Sequence, residues 1–241
     1  MVRRMTNQIV LITGANKGLG FETARRLLEL GMTVLVGARD RERGAQAVAR
    51  LPGAHFVQLD LTDEASIAAA AADVAARFGR LDVLVNNAGI GNASAVPSAQ
   101  SLPAMRTLFE TNVFGAIAVT QAFLPLLERS PAARIVNVSS SLGSLHLAAD
   151  PTSRIAAWNA LFGYAASKAA LNAFTVRLAH ELRPRHIAVN SACPGYVATD
   201  FNNHQGIRTV EQGAAIIVRL ATLPEATPTG GFFDDAGEVA W

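Results

Sequence analysis

A tyrosine and a lysine lie four residues apart in the segment Tyr164-Ala-Ala-Ser-Lys168. On a helix this spacing places both side chains on the same face. A phenol ordinarily titrates near pH about 10, and a positive charge beside its hydroxyl stabilises the phenolate and lowers that pKa. The pair is therefore predicted to be an acid that gives up a proton near neutral pH. The alternative interpretation is a half-buried ring beside a solvated amine.

Three glycines, Gly14, Gly18 and Gly20, lie between the apolar run 9–12 and a helical pattern. This is the strand, turn and helix context of a dinucleotide site. Without Cβ atoms the turn can bring backbone N–H groups and a helix N-terminus against a pyrophosphate. The turn is predicted to bind a dinucleotide, and an ordinary loop is the alternative.

Length and composition agree with one globular domain and exclude several other classes. The chain has 241 residues, half of them apolar, a formal charge of +2 and one cysteine, Cys193. Its basic residues are scattered, which disfavours a nucleic-acid partner, and no run reaches the roughly 18 apolar residues of a membrane helix. No cluster has the spacing of metal ligands, so no metal is expected. A lone cysteine fits a reducing compartment, and we expect a cytoplasmic protein.

Short apolar runs alternate with longer helical patterns, which predicts a parallel sheet. We expect strands at residues 9–13, 33–37, 55–59, 83–86, 134–138, 188–192 and 231–233. The alanine-rich stretch 66–78 predicts a helix, with Asp63 and Glu64 at its start. The predicted fold class is α/β, a doubly wound seven-stranded parallel sheet with helices on both faces. No linker divides the chain, so residues 1–241 form one domain.

Five motifs in this order resemble those of the short-chain dehydrogenases/reductases, over nearly the whole chain. They are the glycine turn, Asn-Asn-Ala-Gly at 86–89, Asn112, the serines of 137–141, and Tyr164 with Lys168; Pro194-Gly195 follows the last long strand. The resemblance implies a Rossmann fold that transfers a hydride between a nicotinamide cofactor and a substrate.

The resemblance also implies the catalytic roles. When a hydride attacks a carbonyl carbon, negative charge grows on the oxygen, which needs a hydrogen bond and a proton. Tyr164 is expected to supply the proton, while Lys168 lowers its pKa and holds the nicotinamide ribose. Ser140, three residues before Gly143, is expected to orient the carbonyl. Asn112 matches the residue that links the lysine to solvent through water; a helix cap is its alternative reading.

The end of the second strand bears on the choice of cofactor. An acidic residue there would favour NAD, whereas an arginine accommodates a 2′-phosphate. This strand ends Val-Gly-Ala-Arg39, and Lys17 adds a second cation, so NADPH/NADP⁺ is expected and NADH is the less favoured cofactor. Two alternatives stay open: Asp40 could turn toward the ribose or neutralise Arg39, or both cations could be ordinary surface residues.

Further cofactor contacts are implied by resemblance. Asp60 is placed at the adenine, residues 86–89 at the adenosine ribose, and Pro194, Gly195 and Thr199 at the nicotinamide. Asp60 could instead be a helix cap and the asparagine pair a turn. The full expected set is Gly14, Asn16, Lys17, Gly18, Leu19, Gly20, Arg39, Asp60, Leu61, Asn87, Ala88, Gly89, Tyr164, Lys168, Pro194, Gly195, Val197 and Thr199.

The interval between Ser140 and Tyr164 is longer than usual for the family, with an insertion at about 142–160. It resembles the carbonyl-reductase branch, which also has Asn-Lys in its glycine turn and Ala-Arg-Asp after its second strand. We therefore expect reduction of a small-molecule aldehyde or ketone. His146, Trp158, Phe162 and Tyr196 either line an apolar pocket or pack in the ordinary way.

Three matters stay open at this level. A cofactor-binding sensor with little turnover is the second function class, although Asn112, Ser140, Tyr164 and Lys168 are all present. The same residues would serve alcohol oxidation with NADP⁺. A homodimer through the helices near Asn112 and Tyr164 is expected, unless the insertion blocks that contact.

Overall fold

The computed structural model describes residues 7–91, 95–224 and 228–241. Within these ranges seven parallel strands form one sheet in the order β3-β2-β1-β4-β5-β6-β7. They are β1 (Ile9–Thr13), β2 (Thr33–Ala38), β3 (His55–Gln58), β4 (Val83–Asn86), β5 (Arg134–Val138), β6 (Ala188–Ala192) and β7 (Phe232–Phe233). The strand order reverses between β1 and β4, and the crevice at the carboxyl ends of such strands is where doubly wound sheets bind ligands.

Helices follow the strands, and several of them begin at a side-chain cap. They are α1 (Gly18–Glu29), α2 (Arg41–Ala49), α3 (Glu64–Phe78), α4 (Leu102–Phe109), α5 (Gly115–Leu127), α6 (Leu145–Ala149), α7 (Phe162–Leu182) and α8 (Val210–Ala221). The Asp40 carboxylate accepts from Arg43 N at 2.9 Å and starts α2. Asp63 does the same for α3, accepting from Ala65 N at 2.9 Å. Each bond satisfies a helix N–H that has no intrahelical partner.

The sheet is buried on both faces, because alternate residues of each strand point into separate apolar clusters. Leu11, Leu84 and Ile135 pack with residues of α3, α5 and α7. Val10, Val83 and Val136 pack with residues of α1, α2 and α8 on the other side. Helices on both faces of a parallel sheet confirm the predicted α/β class.

A row of polar side chains crosses the buried sheet beneath its carboxyl edge. Asn86 Nδ2 donates to Thr120 Oγ1 at 3.0 Å and to Asn137 Oδ1 at 2.8 Å. Asn137 Nδ2 donates to Thr175 Oγ1 at 2.8 Å, and Thr175 and Ser191 share a 2.9 Å hydrogen bond. Asn86, Asn137 and Ser191 are paired directly in the strand register. The row therefore joins β4, β5 and β6 to α5 and α7.

The predicted elements match the observed ones closely. Each predicted strand ends within one residue of its observed bounds, and the alanine-rich helix starts at Glu64, directly after its cap Asp63. The insertion folds as a short turn, Ser141–Gly143, then α6 and further turns. In the described ranges, no helix combines the length and the apolar character needed to cross a membrane.

Candidate active site

The glycine turn after β1 is held against the turn after β4 by hydrogen bonds. Asn87 Nδ2 donates to Thr13 O at 2.8 Å, and the backbone N–H groups of Asn87 and Ala88 donate to Thr13 Oγ1 at 3.0 and 2.9 Å. The side-chain amide of Asn87 is thus used in a hydrogen bond that holds the two turns together. Gly14 has φ +65° and Gly18 has φ +55°, a region that favours glycine.

The turn leaves no room for side chains where a dinucleotide would approach. A Cβ at Gly20 would lie 2.5 Å from Asn87 Nδ2 and 2.8 Å from Gly14 O. Such contacts explain a glycine packed at the start of a helix, and α1 begins at Gly18. The bare backbone and the α1 N-terminus fit a cofactor with a pyrophosphate.

Asn112 lies in a π-helical turn, Glu110–Phe114, between α4 and α5, and it is 1% exposed. Its Oδ1 accepts from Ile90 N at 2.8 Å, and its Nδ2 donates to Ile90 O at 2.9 Å and to Ser167 Oγ at 3.0 Å. The Ser167 hydroxyl donates to Tyr164 O at 2.7 Å. Asn112 therefore joins the β4 connection to the first turn of α7. It is no helix cap, and π-turns are frequent at functional sites.

Ser140 follows β5, and its Oγ accepts from Leu142 N at 3.2 Å, which fixes the turn Ser141–Gly143. This turn presses on α7, because a Cβ at Gly143 would lie 2.7 Å from the Lys168 backbone carbon. Asn172 Nδ2 donates to Gly143 O at 3.2 Å. Ser140 is thereby held next to the face of α7 that carries Tyr164 and Lys168.

The Ser140 hydroxyl lies close enough to the Tyr164 hydroxyl to lower the pKa of the phenol. Lys168 is 4% exposed, its Nζ donates to Val138 O at 2.7 Å, and it lies 5.6 Å from the centroid of the Tyr164 ring. A Cβ at Gly89 would come within 3.6 Å of that amine and 3.2 Å of Asn112 Oδ1. The four expected catalytic residues therefore lie together beside the Asn-Asn-Ala-Gly turn.

Burial changes the two titrating groups in opposite directions. Desolvation raises the pKa of Tyr164 above its ordinary value, and the nearby Ser140 hydroxyl offsets only part of that rise. Burial lowers the pKa of the Lys168 amine to about 8. Desolvation is the largest effect on the Tyr164 pKa, and the Lys168 amine donates to Val138 O, so that the lowering expected from Lys168 stays a prediction.

The segment after β6 reaches back to the glycine turn. Gly195 has φ +77°, and Val197 is buried against α8, where a Cβ at Gly213 would overlap it. The Thr199 methyl would lie 3.6 Å from a Cβ at Gly18. Pro194, Gly195, Val197 and Thr199 thus form one side of the crevice whose other side is the glycine turn.

The charged residues proposed to choose the cofactor have distinct surroundings. Arg39 is exposed at the end of β2 and lines a surface pocket with Asp60. The Asp40 carboxylate accepts from Arg43 N in its helix cap and forms no ion pair with Arg39. Lys17 Nζ forms a 2.8 Å ion pair with Asp200.

Asp60 stabilises a turn, whereas its neighbour Leu61 packs against the core. Asp60 Oδ1 accepts from Thr62 N at 3.0 Å and from Thr62 Oγ1 at 2.8 Å; these bonds hold the pKa of the carboxyl below its usual range. It is no helix cap, since Asp63 has that role. Leu61 packs against the core and against Gly115. Asn86 is 3% exposed and belongs to the buried row, so it cannot contact a ribose.

Two neighbours of the site, Ser167 and Phe201, were not recognised from the sequence. Ser167 bridges Asn112 to Tyr164, and its place directly before Lys168 was the available signal. Phe201 packs on the Tyr164 ring, with ring centroids 5.5 Å apart. Trp158 meets Tyr196 edge to face at 5.2 Å, whereas the backbone N–H of His146 donates to Trp241 O at 2.8 Å. Contacts between segments this distant in sequence have no local signature.

Comparisons with known proteins agree with this geometry. The family profile described as short chain dehydrogenase matches residues 8–208. The short-chain dehydrogenase anuI of Penicillium roqueforti is 44% identical over 253 aligned residues, covering 98% of this chain and 99% of that protein. Salutaridine reductase of Papaver bracteatum is 34% identical, covering 93% of each.

A solved structure shows the same fold over the whole chain. The NADPH-bound carbonyl reductase from chicken fatty liver superposes with a TM-score of 0.87 at 30% identity, covering 98% of this chain and 100% of that one. The strand order, the crevice and the matched length lead to one assignment. This chain belongs to the short-chain dehydrogenase family, whose members are oxidoreductases that use NAD(P)(H).

Proposed function

We propose that this protein is an NADPH-dependent carbonyl reductase that converts an aldehyde or ketone to an alcohol, with Tyr164 as the general acid. The observation that carries the proposal is that Tyr164, Ser140 and Lys168 lie together: the Ser140 turn packs on α7, and the buried Lys168 amine lies 5.6 Å from the centroid of the Tyr164 ring. Two hydroxyl groups with a cation nearby meet the needs of a carbonyl oxygen that gains negative charge. The names of two relatives, a salutaridine reductase and a carbonyl reductase bound to NADPH, support reduction.

Each residue then has a defined task. Bound NADPH would supply the hydride that adds to the carbonyl carbon. The Ser140 hydroxyl donates a hydrogen bond to the carbonyl oxygen, and Tyr164 gives its proton to that oxygen, so that the C=O bond becomes C–OH. Because its pKa is raised, Tyr164 is protonated at neutral pH and gives up its proton only to a strong base such as a developing alkoxide.

The supporting residues hold this pair in place. Lys168 keeps a positive charge beside the phenol below pH about 8 and would hold the nicotinamide ribose. Asn112 fixes the first turn of α7 through Ser167. The glycine turn, Gly89 and Thr199 would hold the remainder of the cofactor.

The preference for NADPH rests on charge at the end of β2. Arg39 is an exposed cation there, and Asp40 is committed to its helix cap, which supports binding of a 2′-phosphate over a ribose diol. Lys17 is a second cation in the glycine turn, and it would contact the phosphate by exchanging its ion pair with Asp200. Asp60 faces the same surface pocket as Arg39, in keeping with an adenine contact.

The direct experiment is to follow NADPH consumption by absorbance with aromatic and aliphatic aldehydes, ketones and quinones. Tyr164→Phe should lower the turnover number by about 10² to 10⁴ and leave the Kd for NADPH unchanged. Tyr196→Phe is the matched control, since Tyr196 is the only other tyrosine and should keep nearly full turnover.

Each negative outcome identifies the part that fails. Equal use of NADH and NADPH would mean that Arg39 and Lys17 do not choose the cofactor. Tight NADPH binding without turnover of any carbonyl would favour the sensor. Turnover with NADP⁺ and an alcohol, but none with NADPH and a carbonyl, would favour the oxidative direction.

A further inference from the structure

Phe201 is a half-exposed aromatic residue placed on the catalytic tyrosine. The centroid of its ring lies 5.5 Å from that of the Tyr164 ring, with an interplanar angle of 60°. The residue is nevertheless 50% exposed. The tip of the ring also fills the space beside Gly91, where a Cβ would come within 2.2 Å of it. Phe201 therefore bridges the connection after β4 to the first turn of α7.

The turn that carries Phe201 is anchored at both ends. Thr199 and Asn202 form a reciprocal capping box, and Asn202 Nδ2 donates to Val197 O at 2.9 Å. Asp200 binds Lys17 at 2.8 Å and His204 at 2.9 Å. With both neighbours held, the position of the Phe201 ring is set by the fold.

A second aromatic pair lies on the segments that lead to these two residues. Trp158 precedes Tyr164 and is 39% exposed, and Tyr196 precedes Phe201 in the connection after β6. The two rings meet edge to face at 5.2 Å. Phe201 and Trp158 thus each keep exposed ring area on a segment that leads to the site.

We propose that Phe201 is a specificity-determining residue, the wall against which a flat or cyclic ketone lies while its carbonyl oxygen reaches Tyr164 and Ser140. The inference rests on the proposed function and names its substrate class. A ring stacked on Phe201 gains contact that a linear aldehyde cannot match, because planar groups pack face to face or edge to face with aromatic side chains. Phe201 touches no hydride or proton, so it governs binding of the substrate and not the acid step.

The test compares kcat/KM for acetophenone and for pentanal in four variants. Phe201→Ala should lower kcat/KM for acetophenone by about two- to tenfold, mainly through KM, and change that for pentanal by less than about twofold. Phe201→Tyr should restore the ranking, because it keeps the ring. Gly91→Ala should reproduce Phe201→Ala, because its methyl group displaces the ring without removing it. Ile207→Ala, an 84% exposed apolar residue of the same connection, is the matched control.

A binding measurement separates this inference from the proposed function. Saturation-transfer NMR with acetophenone on the full chain carrying Tyr164→Phe should show contact that disappears when Phe201→Ala is added. If the wild type reduces no carbonyl yet acetophenone binds in this Phe201-dependent way, only the proposed function fails. If turnover is normal and Phe201→Ala alters neither acetophenone binding nor the substrate ranking, the assignment of Phe201 is wrong.

Discussion

At the scale of single residues, the site combines a tyrosine with a raised pKa, Tyr164, and a lysine with a lowered pKa, Lys168. Tyr164 is protonated well beyond neutral pH, whereas Lys168 loses its proton near pH about 8. Both shifts have the same cause, since burial disfavours the charged form of each group. The cation beside the phenol is thus the group whose charge changes near pH about 8.

This difference predicts how stability depends on pH. Between pH about 8 and about 10 the unfolded chain keeps the Lys168 proton and the folded chain has released it, so the free energy of unfolding rises with pH. Tyr164 acts in the opposite sense only above its ordinary pKa of about 10. Below pH 8 both states hold the lysine proton, and the contribution of Lys168 is constant.

The measurement is urea unfolding of the wild type and of Lys168→Met from pH 7 to about 10. The wild type should gain stability relative to the variant above pH 8, at most about 1.4 kcal/mol per pH unit. Tyr164 and Cys193 are present in both proteins, so their titrations cancel in the difference. Parallel curves would show that Lys168 has an unshifted pKa in the folded protein.

At the scale of elements, the sequence predicts most of the frame because its signals are local. Strands such as Ile9–Thr13 are short apolar runs. Asp63 caps the alanine-rich helix α3 directly before its first residue, Glu64. The glycine turn and the Tyr164-Lys168 pair are local patterns too. The bridge from Asn112 through Ser167 and the approach of Phe201 to Tyr164 depend on packing between distant segments. No periodicity or spacing records such contacts.

The polar row beneath the carboxyl edge gives a prediction at this scale. Asn137→Ala removes one of the two acceptors of Asn86 Nδ2 and the donor to Thr175 Oγ1, inside the buried sheet. Each buried group left without a partner costs about 1–3 kcal/mol, so the variant should unfold at clearly lower urea concentration with an unchanged m value. Gln58→Ala, an exposed position of β3, should change stability little. Equal stability of the two variants would mean that the row is energetically neutral.

At the scale of the whole molecule, the outer face of α7 is the surface through which we expect two copies of the chain to contact each other. Ala165, Ala166, Ala169 and Ala170 are only partly buried within one chain. Small side chains permit close approach of two helices, and the half-exposed Phe114 lies at the start of α5. The insertion before α7 folds as α6 and turns.

We expect a homodimer through this face. One chain has a mass of 25.3 kDa. Light scattering after gel filtration at micromolar concentration should give twice that mass. Ala166→Arg should shift the mass toward that of one chain, because the new charge would be buried without a partner at the contact. Ala69→Arg, on the exposed face of α3, should leave the mass unchanged. A monomeric wild type would refute the dimer.

The row of Asn86, Asn137 and Ser191 also bears on how the sheet finds its alignment. Parallel strands are joined through helices, so no tight turn sets their register, and strands buried on both faces have no polar side to specify it. In β5 every neighbour of Asn137 within two residues is apolar except Ser139. A slip of one residue against β4 would place a valine opposite Asn86 and remove the hydrogen bond between Asn86 and Asn137. A few amide and hydroxyl groups thus distinguish the native alignment of the central strands from misaligned sheets that bury nearly the same apolar surface.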